Sequence, residues 1–127
     1  MSVFDKVTHA TIKDCFIDDF GNLCFVVPKA QLGKAIGKNG SNVKQISQKL
    51  NKRIRIYEFN QNISFFIQNL LYPIKPAEIT IKDEIVYIKH PDISTKSIII
   101  GKNAKNLRNM EKIIGRYFSD IKEIKVI

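Results

Sequence analysis

Cysteine is scarce in this 127-residue chain, with Cys15 and Cys24 the only two. They are spaced neither as CxxC nor as part of a four-ligand set, which argues against a disulfide framework or a zinc ribbon and leaves two reduced, half-buried thiols as the expectation. Long apolar runs are missing as well: the longest aliphatic stretches, such as Ile98-Ile99-Ile100, fall far short of the ~20 residues that a membrane-spanning helix needs. Met1 to Lys6 lacks the basic stretch and apolar block of a secretory signal. The expectation is a cytoplasmic protein with no membrane partner. Histidine is limited to His9 and His90, with no serine or cysteine motif beside either, so both read as surface or strand-end residues. Asp18-Asp19 reads as turn chemistry. A phosphate-binding P-loop fails twice in Gly33-Lys34-Ala35-Ile36-Gly37-Lys38-Asn39, which has too few residues between its glycines and Asn where Ser or Thr must ligate magnesium. No catalytic residue, cofactor or metal is expected. Strands with clustered aromatics are missing too, which disfavours an RRM or cold-shock sheet that stacks bases.

The remaining shortage is of acid. Twelve Asp and Glu stand against 21 Lys and Arg, for a formal net charge of +9. With 44% hydrophobic and 26% charged residues the chain has a globular composition, so the excess charge implies an anionic partner, nucleic acid or an acidic membrane surface. No acidic residue occurs from Phe20 through Tyr57, and none from Ile93 through Met110.

The order of elements is legible from periodicity. Runs of period two over Thr8 to Ile17 and Leu23 to Val27, separated by Asp18-Asp19-Phe20-Gly21-Asn22, predict a β-hairpin. Leu32, Ala35 and Ile36, then Val43, Ile46 and Leu50, predict two short helices around Gly37-Lys38-Asn39-Gly40. Arg53 to Glu58 alternates as a strand. The second half repeats this β-β-α-α-β order: a hairpin of Glu78 to Ile81 and Glu84 to Ile88, a short helix opened by Pro91-Asp92 and ending at Ile100, a longer helix over Asn106 to Phe118, and a strand over Ile121 to Ile127. A leading helix is expected at Asn62 to Leu71 in this half alone, since Met1 to Thr8 is too short to supply one to the first.

Ile36-Gly-Lys-Asn-Gly-Ser-Asn-Val-Lys-Gln-Ile46 aligns in register with Ile100-Gly-Lys-Asn-Ala-Lys-Asn-Leu-Arg-Asn-Met110. The match predicts two tandem copies of one α/β module, residues 1–60 and 61–127. A Gly-x-x-Gly turn between two helices lets a bulky ligand approach the backbone, and the free N–H groups opening the next helix favour an anion. Lys38 and Lys102 lie inside the turns, with Lys34, Lys44, Lys105 and Arg108 about one helical turn away, which suits a phosphodiester backbone. Ile36, Val43 and Ile46 are expected to line an apolar strip for bases, and Arg53 and Arg55 to flank it along the following strand. The tetrapeptide alone is a weak signal. Its recurrence inside a longer shared motif, in the same element order, is what makes it specific.

Ile36 to Ile46 resembles the core of a KH domain, whose GxxG loop clamps about four single-stranded nucleotides. Strands placed before the helical pair resemble the type II form, and two modules nearly abutting resemble the archaeal NusA family of transcription factors. The resemblance covers essentially the whole chain. It implies an α+β fold of two tandem type II KH domains, each a three-stranded sheet packed against helices, the second with an extra leading helix. It also implies a non-enzymatic, monomeric protein that binds single-stranded RNA in transcription termination or antitermination, with RNA polymerase as a further partner and the two modules presenting one extended track. Carried onto this chain, the RNA-binding residues are Lys34, Ile36, Gly37, Lys38, Asn39, Gly40, Asn42, Lys44, Arg53 and Arg55, then Gly101, Lys102, Asn103, Ala104, Lys105 and Arg108. Ala104 departs from the pattern, mildly if it is already helical and at about 1 kcal/mol if it needs positive φ. The alternative is a KH-fold scaffold, or a module of the ribosome or of RNA turnover, in which Phe65-Phe66, Leu70-Leu71-Tyr72 and Tyr117-Phe118 form a partner surface rather than a core shared by the modules.

Overall fold

Residues 2–127 are described by a computed structural model, the side chains of 2, 3 and 5 excepted. The chain divides into two compact units, Met1–Gln61 and Asn62–Ile127.

The first unit runs α1 (Ser2–Thr8), β1 (Asp14–Ile17), β2 (Leu23–Val27), α2 (Leu32–Ile36), a 3-10 turn (Lys38–Gly40), α3 (Ser41–Leu50) and β3 (Ile54–Glu58). Its sheet has the order β1-β2-β3, antiparallel between β1 and β2 and parallel between β2 and β3. The central strand β2 is buried along its whole length. Leu23, Phe25 and Val27 from one of its faces join Phe4, Ala10, Ala35 and Ile46 in the core, the usual way a helix pair covers a sheet face. Asp18 closes the hairpin: its carboxylate accepts from the main-chain N–H of Phe20 (2.9 Å) and of Asn22 (2.8 Å) and from the Asn22 amide (3.0 Å).

Two expectations are corrected at the N-terminus. The strand begins at Asp14 rather than Thr8, and Ser2–Thr8 is a helix. So short a helix has little intrinsic stability and forms because it is buried: Phe4 is fully enclosed and its ring stacks on Phe25 at 4.3 Å. The Thr8 hydroxyl then donates to the Phe4 carbonyl (2.8 Å) and accepts from the Ala10 N–H (3.0 Å), ending the helix. A leading helix is therefore common to both units, not extra to the second.

The second unit runs α4 (Ile63–Leu71), β4 (Glu78–Lys82), β5 (Ile85–Lys89), α5 (Ile93–Ile100), a 3-10 turn (Lys102–Ala104), α6 (Lys105–Gly115) and β6 (Glu123–Val126). Its sheet repeats the arrangement: order β4-β5-β6, first pair antiparallel, second parallel. Asn62 caps α4 by accepting from Phe65 N–H (3.2 Å), and Asp92 caps α5 by accepting from Thr95 N–H (2.9 Å) and the Thr95 hydroxyl (2.6 Å). The hairpin turns on Asp83 and Glu84, both at positive φ, one residue beyond the Lys82-Asp83 turn that the sequence pattern predicts. The long helix stops at Gly115, so Tyr117 and Phe118 lie past its end. Both rings pack on Phe66, at 5.4 and 6.1 Å, within this unit's own interior, while Phe65 and Tyr72 are exposed.

Candidate nucleic-acid interface

The two glycine turns have nearly the same backbone. Gly37 ends α2 at φ 77, ψ 169; Asn39 follows at φ 55, ψ 29 and Gly40 at φ 72, ψ 19. Gly101, Asn103 and Ala104 take φ 77, ψ 170, then φ 56, ψ 31, then φ 60, ψ 24. In each turn the fourth residue's N–H donates back to the first residue's carbonyl, at 3.2 Å in one and 3.1 Å in the other. Ala104 thus holds the left-handed conformation that its sequence left open, at a cost of about 1 kcal/mol relative to glycine. Lys38, Asn39, Lys102 and Asn103 are displayed at the surface.

Why the motif has this form follows from the packing behind it. The Asn42 side-chain amide donates to the Lys34 carbonyl at 2.9 Å, tying the start of α3 to the end of α2, and Asn106 does the same to Ile98 at 2.8 Å. A Cβ on Gly37 would stand 2.7 Å from Asn42 Cγ, and one on Gly101 the same distance from Asn106 Cγ. Glycine first and asparagine five residues later are one device. Asn42, expected among the nucleic-acid contacts, braces the loop.

Just past the first turn, α3 and the edge strand β3 enclose a groove of about 540 Å³ lined by Val43, Lys44, Ser47, Arg53 and Arg55, among others. The fold therefore brings three of the predicted cations, Lys44, Arg53 and Arg55, around one concave surface, with no acidic side chain in its lining. Lys34 is exposed and Ile36 half-buried. Ile46 corrects an expectation: it is fully buried and belongs to the core, leaving Val43 and Ile54 as the apolar lining. Ser47 was not anticipated, although it lies one helical turn beyond Lys44 and that spacing was available in the sequence.

In the second unit Lys102 and Lys105 are exposed. Arg108 is not a free cation. Its Nη1 lies 2.7 Å from Glu111 Oε1, and this hydrogen bond and charge raise the guanidinium pKa further. Burial, reinforced by Asp18, pushes the Cys24 thiol up to about 12, and burial with the neighbouring Cys24 pushes the Tyr57 phenol up to about 12, so both keep their protons. His90 Nδ1 accepts from the Asp92 N–H at 3.0 Å at a helix entrance. Among the described residues no group of His, Cys, Asp or Glu is arranged to hold a metal ion, and no helix is long and apolar enough to cross a membrane.

A three-stranded sheet backed by helices, with a Gly-x-x-Gly turn opening a basic groove, is the architecture of a KH-domain protein. The family model described as KH domain matches residues 1–89. A probable transcription termination protein NusA from Methanococcus vannielii is 36% identical, the match covering 100% of this chain and 74% of that protein. Its namesake from Methanocaldococcus jannaschii is 33% identical, covering 98% and 68%. The crystal structure of APE1850 superposes with a TM-score of 0.80 at 26% identity, over 99% of this chain and 94% of that one. The chain belongs to the KH-domain family and, within it, to the archaeal NusA-like proteins.

Proposed function

We propose that the chain is a pair of tandem type II KH domains, residues 1–60 and 61–127, that binds single-stranded RNA and acts, without catalysis, in transcription termination or antitermination. The Gly37-to-Gly40 loop grips the phosphodiester backbone with Lys38, Asn39 and the exposed main chain, and bases lie against Val43 in the groove flanked by Lys44, Arg53 and Arg55. The observation that carries this reading is the groove itself: cations on both walls and no acid in the lining, with one wall formed by the helix that the glycine turn opens. The transcriptional role is supported by the relatives named as transcription termination proteins. RNA polymerase is the protein partner that this role calls for, in the cytoplasm and with the chain as a monomer.

The test is charge reversal at the loop. Lys38→Asp with Asn39→Asp is expected to abolish binding to single-stranded RNA while leaving thermal unfolding nearly unchanged, because both side chains are exposed. RNA affinity equal to that of the unaltered chain would turn the reading toward a KH-fold scaffold that binds protein.

A further inference from the structure

The two loops match in backbone, yet the helix and strand beside them differ in charge. The shared motif aligns α3 with α6, so Lys44 corresponds to Arg108 and Ser47 to Glu111. The strands align through their cores: Ile56 pairs with Phe25 in the first sheet as Ile124 pairs with Val86 in the second. Ile54, which pairs with Leu23, fits the same place, and the residue before either isoleucine is an arginine, Arg53 or Arg55, where the second unit has Glu123. A hydroxyl and a guanidinium in the first unit are replaced by two carboxylates in the second.

Glu111 ties α6 to the edge strand β6. One carboxylate oxygen takes the Arg108 guanidinium at 2.7 Å, and the other accepts from the Ile124 main-chain N–H at 2.8 Å, on the edge strand β6. The Glu111 side chain is only 17% exposed, and Glu123 adds its charge to the field at Arg108. A guanidinium and an outward main-chain N–H are the donors that hold phosphate oxygens and base edges in nucleic-acid complexes, and both are here held by charge-assisted hydrogen bonds to one side chain.

We propose that Glu111 is an internal anion that stands between α6 and β6, at the place where the first unit has its groove, and there takes the part of RNA. It holds Arg108 and the β6 edge, and together with Glu123 it repels phosphate, so that the first groove carries the affinity and the second unit contributes only its loop. This rests on the RNA-binding reading above and names the residue that makes the two copies unequal.

The experiment restores the first copy's residue in the full chain, Glu111→Ser, and measures binding of a labelled single-stranded RNA of about twelve nucleotides, enough for two clamps of about four each. Affinity is expected to rise about tenfold, with the log–log salt slope steeper by about 0.7 as one more phosphate contact forms. With Lys38→Asp and Asn39→Asp disabling the first loop and abolishing binding, Glu111→Ser restores measurable binding through the second unit. With Glu111 in place, Lys102→Asp with Asn103→Asp costs far less affinity than the same change in the first loop. Glu111→Gln keeps the size and the acceptor for Ile124 N–H, and gives a smaller gain in the same direction if the serine variant fails to fold. Affinity of either folded variant equal to the unaltered chain's, or equal losses from the two loop reversals, overturns the proposal. Absence of RNA binding by the unaltered chain and Glu111→Ser alike overturns the RNA-binding reading, and this inference with it.

Discussion

Asn42 Nδ2 lies 2.9 Å from the main-chain oxygen of Lys34, across the Gly37-to-Gly40 turn that both residues flank. This hydrogen bond ties together the two helices that present the loop, which also pack through Ala35 and Ile46 in the core. Asn42→Ala is expected to lower stability by about 1 kcal/mol, seen as a few degrees in thermal unfolding, and to weaken RNA binding through a loosened loop although the side chain need not touch RNA.

Gly37→Ala meets two obstacles. Its φ of +77 strains any residue with a Cβ, and that Cβ would stand 2.7 Å from Asn42 Cγ. A loss of about 2 kcal/mol is expected in urea unfolding. Because part of it is a clash with Asn42, the double variant Gly37→Ala with Asn42→Ala should lose less than the sum of the singles.

Ala104 gives the opposite case. At φ 60 it holds a left-handed position with open space in its first-copy counterpart, since nothing lies within 4 Å of a Cβ placed on Gly40. Ala104→Gly should therefore stabilise the chain by about 1 kcal/mol, and Gly40→Ala should cost a similar amount. Equal stability of Ala104→Gly and the unaltered chain would show that the backbone there relaxes.

Salt dependence reads the number of phosphate contacts directly. With roughly six cations engaged, log affinity for single-stranded RNA against log salt should fall with a slope of about −4. Arg53→Ala and Arg55→Ala should each flatten it, and a slope near zero would contradict a backbone clamp.

Alkaline pH gives a further expectation. Cys24 and Tyr57 keep their protons in the folded chain up to about 12, whereas their ordinary values are 9.0 and 10.0. The unfolded chain loses these protons first, so folding stability is full below about pH 9 and falls as pH rises toward 12. Urea unfolding at a series of pH values should follow this, with a shallower decline in Cys24→Ala. In the native chain Ellman's reagent should modify the exposed Cys15 and leave the buried Cys24 until unfolding.

Much of this architecture was readable from periodicity because its elements are short, regular and punctuated. Asp18 and Gly21 mark one hairpin, Asp92 opens α5, and the repeated Ile-Gly-Lys-Asn marks both turns. The N-terminal helix was not readable. Ser2–Thr8 has no propensity signal strong enough to stand alone, and what makes it a helix is the Phe25 ring beneath Phe4, a residue distant in sequence. Ile46 was read as a surface for bases for the complementary reason: helical period places it near Val43, and only the packed sheet decides which of the two is covered.

By itself the sequence determined that an acid-free stretch around a glycine turn occurs twice and that lysines stand in each turn, because charge and glycine spacing are local properties. It also carried the asparagine that recurs in register, without its purpose. Only the tertiary structure decided that Asn42 braces the loop, that Arg53 and Arg55 share a groove with Lys44, and that Arg108 is tied to Glu111 and the edge of β6. The physical reason is common to all three. A hydrogen bond or an ion pair depends on a distance of about 3 Å, and residues separated along the chain acquire that distance only when helices and strands pack.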